Sequence, residues 1–477
     1  MKAKFLVILL LGLLAGETVS WSAALTLESY LDQVKKGNEG VQALITASEA
    51  MPLRKDEARL LTRPNLFANV TFYSDAKPTV APSFMGTRTL ADTYNFGFSQ
   101  QTPFGLSGKL YYQWTYTRIE GASSPVPLSL PIFYEAKPVL ELNQSLLKNG
   151  FGSELRSQVQ AAESGTLAQA YGEQFKLKDA LAEAEGAFWR LAISRQLVQV
   201  QKESLERASR LKEWNSNRAK SGLGDRSDEL QAQANLQVRT LEYESALNEE
   251  RNASQTFNSL RGIDEAEVKD VLPIMDKNLT EKLMLPEKKE MRLDVKAAQE
   301  LTKVAEANAQ LGKERNSPVL DVFGSVATNG RTDQWGSSVS DSFTTQFPTF
   351  TVGVKFQAAL DIGQVLDDRR AYSAELKAAE LNYRRKAFEE AQQYKDLVKK
   401  FEEAKSRLKL CYGIEEVQEK KLAREKERLK LGRSVTYQVI LFEQDYASAE
   451  LLRLKTQGEV LGLFSQLKLY GDAHESR

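Results

Sequence analysis

The residue types that make or break bonds are scarce here. One cysteine, Cys411, and one histidine, His474, occur in 477 residues. A lone cysteine excludes an intrachain disulfide framework, and a lone histidine in a polar tail removes the usual metal-ligand clusters and Ser/His/Asp triads. No catalytic, cofactor-binding or metal residue is therefore assigned. The chemistry the spacing does offer is ion pairing. Asp225, Arg226 and Asp228 follow Gly222, while Lys430 and Arg433 flank Gly432, with Gln438 and Leu441 a little further on. Acids also belong near a helix N-terminus in their own right. Exposed pairs contribute only about 0–1 kcal/mol each, so ion pairing matters here only where several pairs are repeated around an assembly.

Composition narrows the partners. Lys and Arg together number 64, as do Asp and Glu, so nucleic acid is not expected. Lys2 and Lys4 precede the apolar run from Phe5 to Leu14, and Ser20 and Ser22 sit at a cleavage pattern, which predicts an export signal over 1–22. No Cys follows the expected cut, so no lipid anchor is expected. Elsewhere no stretch is apolar enough to span a bilayer as a helix.

The elements carrying the two glycine turns come in two copies. Val41-Gln42-Ala43 lies 23 residues before Pro64, and Val295-Lys296-Ala297 lies 23 before Pro318. Gly152 and Gly222 are 70 apart, Gly363 and Gly432 are 69 apart, and both intervals read as helix. From there it is 40 residues to Gly262 and 39 to Gly471, where each return helix is expected to end on a glycine C-cap. A helix of that length is on the order of 100 Å long and needs a wall of other helices. Leu397, Phe401, Ala404, Leu408 and Cys411 supply a 4-3-4-3 seam, with Cys411 as a small buried hydrophobe. Ala184, Leu191, Val198 and Leu205, and again Ile440, Ala447, Leu454 and Leu461, recur every seven residues. Approach helices are expected over roughly 27–61 and 292–314. The division is a first repeat over 23–262 with its tip near 222, a linker or equatorial segment over 263–288, a second repeat over 289–471 with its tip near 432, and a tail over 472–477.

Between approach and long helix each copy holds strand patterns. Leu66, Ala68, Val70 and Phe72 alternate with Phe67, Asn69, Thr71 and Tyr73, and similar alternation runs through 109–117 and 349–358. Six strands are predicted, at about 65–74, 93–102, 106–118, 138–146, 319–328 and 348–358, with a tight turn at Thr102-Pro103-Phe104-Gly105. Their length and two-faced character suit a membrane β-barrel, with Tyr111, Tyr112, Trp114 and Tyr116 as candidates for an aromatic belt. Six strands cannot close a barrel and open edges are not tolerated in lipid, so several chains must share one. A soluble sheet capping an exported coiled-coil scaffold is the competing interpretation; an exported enzyme has less to support it.

The order of elements, together with Pro318-Val319-Leu320-Asp321-Val322, Leu142-Asn143-Gln144-Ser145-Leu146, Ser221-Gly222-Leu223-Gly224 and Leu431-Gly432-Arg433-Ser434, resembles the TolC-like outer-membrane efflux proteins over nearly the whole mature chain. The resemblance implies a mainly α fold with a transmembrane β-barrel portion, tandem-duplicated and homotrimeric. It also implies a location in the outer membrane of a Gram-negative bacterium with a large periplasmic helical tunnel. It further implies an exit duct for efflux or type I secretion without cofactors, with the tips at Gly222, Leu223, Leu431, Gly432 and Arg433 meeting a periplasmic adaptor coupled to an inner-membrane pump or ABC exporter. Asp228 matches an acidic gate position of the family, making Asp225, Arg226, Asp228, Lys430 and Gln438 gate candidates. Two departures stand out. Members usually contribute four strands per chain, whereas the pair over 94–117 is extra and predicts a barrel of about 18 strands instead of about 12. The aspartate ring of the best-known members is replaced by Gln438 and Leu441.

Overall fold

The computed structural model of the chain describes residues 24–471 except 55, 123–130, 223, 276 and 289. The expected export signal, the tip residue Leu223, His474 and the tail lie outside the described residues. The chain begins with α1 (Leu27–Gly37), α2 (Glu39–Arg54) and a 3₁₀ turn (Glu57–Thr62). Then come β1 (Asn65–Asp75), α3 (Pro82–Met85), β2 (Arg88–Gln101), β3 (Leu106–Glu120) and β4 (Ile132–Ser145). Helices α4 (Ser153–Lys220), α5 (Arg226–Leu260), α6 (Lys277–Glu281) and α7 (Leu293–Arg315) follow. The second sheet segment is β5 (Val319–Thr328), β6 (Gly330–Thr332), α8 (Trp335–Asp341) and β7 (Pro348–Gln357), and α9 (Ile362–Lys430) and α10 (Thr436–Leu467) complete the chain. The described residues form two compact units that cut across this order, one of 24–46, 175–292 and 391–471, the other of 47–174 and 293–390.

The first unit is helical. Its seams are those the periodicity predicts: Phe401, Ala404, Leu408 and Cys411 are buried, as are Ile440, Ala447, Leu454 and Leu461, while on α4 Ala184 and Leu191 are buried and Val198 and Leu205 half-buried. Helices α4 and α9 reach 68 and 69 residues, and from Phe401 to Leu429 the α9 stripe buries turn after turn against neighbouring helices. Tyr30, Phe188 and Phe257 form the aromatic centre, with Tyr30 stacked on Phe257 at 4.1 Å and its hydroxyl donating to the Phe257 carbonyl. The segment after α5 is fastened to this centre through Val268, Leu272 and Met275, and through Asn258 and Arg195, which donate to its carbonyls.

Two expectations need correction. The first approach helix is not continuous, because Asn38 takes an extended conformation between α1 and α2. Its amide donates to the Leu260 carbonyl at the end of α5 and its oxygen accepts from Val41 N–H, so the break exchanges a helical bond for a link to the neighbouring helix end. The return helix α10 ends at Leu467, and Gly471 is not its cap. Gly471 is needed instead because a Cβ there would strike the Glu287 carbonyl. Gly262, by contrast, does follow α5 with φ at 73°.

The second unit holds one antiparallel sheet in the order β1-β2-β3-β4-β5-β7, with β6 paired to β4 beside β5. The six predicted strands are all present, and β2 and β3, the extra pair, lie inside the sheet between β1 and β4. The turn at Thr102–Gly105 joins them, Gly105 at φ 83° and Thr102 bonded to Leu106. Strand β4 starts at Ile132, six residues before the expected start, because Pro138 does not stop it. Pro138 falls between the β4–β6 pairing, which ends at Ala136, and the β4–β5 pairing, which begins at Val139, so its missing N–H costs no ladder bond on that side.

Candidate functional site

Three features have the geometry to act: the glycine turns, the seam above them and the sheet faces. At the first turn Gly222 N–H donates to the Ala219 carbonyl with φ at 70°, and Gly432 N–H donates to Leu429 with φ at 69°. A Cβ at either position meets nothing within 4 Å. Both turns are therefore accessible, and Leu431 is 69% exposed. Asp225 caps α5, accepting from Ser227 N–H at 2.9 Å. That bond holds its carboxyl below the usual carboxylate range. Asp228 follows in the first turn of α5, and Gln438 lies half-buried at the start of α10.

The structure does not join these candidates within one chain. Among the described residues Asp225, Arg226, Asp228, Lys430 and Arg433 form no ion pair with one another. Instead the second turn is pinned by Glu425, a buried carboxylate that pairs with Arg428 and accepts from the Ser434 hydroxyl, while Arg428 reaches the Arg433 carbonyl. Thr436 donates to Asn215 at 2.7 Å, tying the start of α10 to α4. No spacing rule singles out Glu425 or Asn215, whose partners come from a fold-back and from another helix.

Above the turns, Leu211, Trp214, Leu422, Leu429, Val439, Phe442 and Tyr446 pack together. Next to them lies a charged seam that sequence reasoning missed. Arg207 of α4 pairs with Glu443 at 2.9 Å and lies 3.7 Å from Glu450, both on α10. Lys426 of α9 also reaches Glu443, Lys421 pairs with Asp445 at 2.8 Å, and Arg453 pairs with Glu415. One Glu450 oxygen has no hydrogen-bond partner. Burial pushes the Glu450 carboxyl up to about 7; Tyr446 and Arg207 counter this, and Glu415 and Glu203 add to it.

The sheet is two-faced. Pairing aligns Leu66, Phe98, Leu110, Leu140, Val326 and Phe350, one from each strand, in an unbroken row. All six are exposed, Leu66 by 73% and Phe350 by 70%. The neighbouring row on the opposite face reads Asn65, Ser99, Lys109, Glu141, Ser325 and Thr351. Tyr112, Trp114 and Tyr116 belong to the first face with Tyr134, where their rings meet. Tyr111 does not: it points to the polar face and donates to Glu141 at 2.8 Å, which removes it from the expected belt.

No protein-family model and no curated protein matches the sequence. Solved structures do match the fold. The Campylobacter jejuni CmeC outer membrane channel is 14% identical, with a TM-score of 0.64 over 96% of this chain and 92% of that one. The outer membrane protein VceC of Vibrio cholerae is 13% identical at 0.64, over 93% and 96%. The MtrE outer membrane channel of Neisseria gonorrhoeae, in its open state, is 16% identical at 0.61, over 94% and 90%. The chain is thus folded like these outer-membrane channels over nearly its whole length.

Proposed function

We propose that a chain with this TolC-like fold is one third of an outer-membrane exit duct, passing substrates outward without chemical change. The exposed apolar row from Leu66 to Phe350, backed by a polar row on the other face, carries this conclusion. Water on the apolar face would leave six large side chains unburied, whereas lipid covers them and the polar face lines an aqueous lumen. Strands β1 and β7 end the sheet with unpaired backbone groups. In lipid those groups need partners, and pairing β1 of one copy with β7 of the next supplies them. Three copies give a closed barrel of about 18 strands.

The helices then extend into the periplasm of a Gram-negative cell. The turns at Gly222, Leu431, Gly432 and Arg433, with Leu223, meet a periplasmic adaptor that couples the duct to an inner-membrane pump or ABC exporter. Asp225, Arg226, Asp228, Lys430 and Gln438 act as a gate through pairs between copies, in keeping with the lack of ion pairs among its charged members within the described residues of one copy. Membrane fractionation followed by mass measurement in mild detergent tests the whole: the expected result is an outer-membrane trimer. A folded monomer in the soluble periplasmic fraction would overturn it.

A further inference from the structure

The connection between β5 and β7 does not project away from the sheet. It folds back over the apolar face, where Trp335 meets Trp114 edge-on at 6.4 Å and Phe343 stacks on Tyr112 at 6.0 Å. Tyr112 and Ser342 share a hydroxyl bond of 3.0 Å, and Ser338 of α8 and Ser342 at its end are fully buried. Gly330 permits this approach, because a Cβ there would strike the Ser338 carbonyl. Asn329 holds the far end by donating to the Phe347 carbonyl. Ser338 and Ser342 are thus turned inward, while the rings of Trp335 and Phe343 touch the sheet on one side and keep the other exposed. Trp335 is 57% exposed, Phe343 69% and Phe347 64%.

Their position on the face is specific. The row that holds Trp114 is the last before charge appears: the next row toward the β3–β4 connection brings Asp92 beside Tyr116, and the one after it Arg118. A Trp at the border between apolar and charged rows matches the preference of the amphipathic indole for the headgroup boundary, and Phe beside it suits the apolar side of a segment lying in that boundary. The indole N–H of Trp335 makes no hydrogen bond among the described residues, so it is available to a headgroup or interfacial water.

We propose that α8 and the residues following it to Phe347 form a membrane anchor lying on the outside of the barrel. Trp335, Phe343 and Phe347 occupy the headgroup–acyl boundary of the outer leaflet and set the depth at which the duct sits. The partner is the lipid surface itself, and the anchor rests on the barrel proposed above.

The assembled full-length protein, placed in vesicles of phosphatidylcholine brominated at a shallow or a deep acyl position, tests it by tryptophan fluorescence. Shallow bromines should quench more strongly than deep ones, and W335F should lose most of that shallow quenching. Quenching unchanged by W335F, with the Trp335 contribution removed by aqueous iodide, would overturn the anchor. Phe350→Trp, built into W335F, separates the two levels. If it is quenched by deep bromines while Trp335 answers to iodide, the barrel stands and the anchor falls. If it is untouched by lipid bromines, both fall. Should W335F fail to assemble, fluorine NMR of 5-fluorotryptophan in the unsubstituted chain decides, with nitroxide lipid relaxing Trp335 if the anchor holds and an aqueous gadolinium chelate doing so if it does not.

Discussion

The Arg207 guanidinium lies 2.9 Å from the Glu443 carboxylate, joining the long helix of the first half of the sequence to the return helix of the second. Both groups are largely buried, and Tyr446 covers the guanidinium at 5.4 Å. A buried pair of this kind adds little net stability over an apolar contact, but removal of one partner strands the other's charge. Lys426 still reaches Glu443, so Arg207→Ala should cost less than the ~3–5 kcal/mol of a buried charge left wholly unpaired, visible as faster hydrogen exchange through 203–215 and 443–454 and a lower urea midpoint. Exchange unchanged from wild type would show that the seam is held by its apolar contacts alone.

Glu450 makes the same seam pH-sensitive. Its carboxyl is raised from 4.5 to about 7, so the packed seam binds the proton more tightly than an unfolded chain does. The stability this contributes is fully present below about 4.5 and is lost as pH rises through about 7. Protection from exchange at the seam, relative to the intrinsic base-catalysed rate, should therefore fall between mildly acidic and neutral pH. Glu450→Gln should flatten that dependence; the same pH response in the variant would assign the titration to Glu415, whose carboxyl burial also raises.

The apolar row gives a face-specific prediction. Leu110→Lys puts a charge where lipid is expected, at a cost of about 2–4 kcal/mol per chain near the bilayer midplane. Gln113→Lys puts the same charge on the opposite face. Trimer recovered from outer membranes should fall sharply for the first variant and little for the second. Equal recovery would argue against lipid on the Leu110 face.

At the tips, Gly222→Val and Gly432→Val force a β-branched residue into positive φ, a local strain with open space around it. Trimer levels should stay close to normal while export is lost. Normal export from normal amounts of trimer would end the adaptor role.

For the gate, Asp228→Ala should raise single-channel conductance in planar bilayers by loosening pairs between copies. An unchanged conductance would leave Asp228 as a favourable charge at the start of α5 and nothing more.

Periodicity is a local property, and it sufficed for most of the architecture. Seams such as Phe401, Ala404, Leu408 and Cys411 dictated the long helices, and strict alternation dictated the strands, because burying one stripe or one face needs no knowledge of the partner. The Thr102–Gly105 turn and the accessible glycines at 222 and 432 were legible for the same reason. Pairings across the fold were not. That Leu66 stands in line with Phe350 depends on five successive registers, and that Pro138 is harmless depends on the gap between β5 and β6. Asn38 breaks its helix because the end of α5 offers it a carbonyl, and Arg207 finds Glu443 across 236 residues of chain. Such contacts are set by which elements meet and at what register. Only the tertiary structure could decide them, because a side chain's partner across the fold leaves no periodic trace in the residues around it.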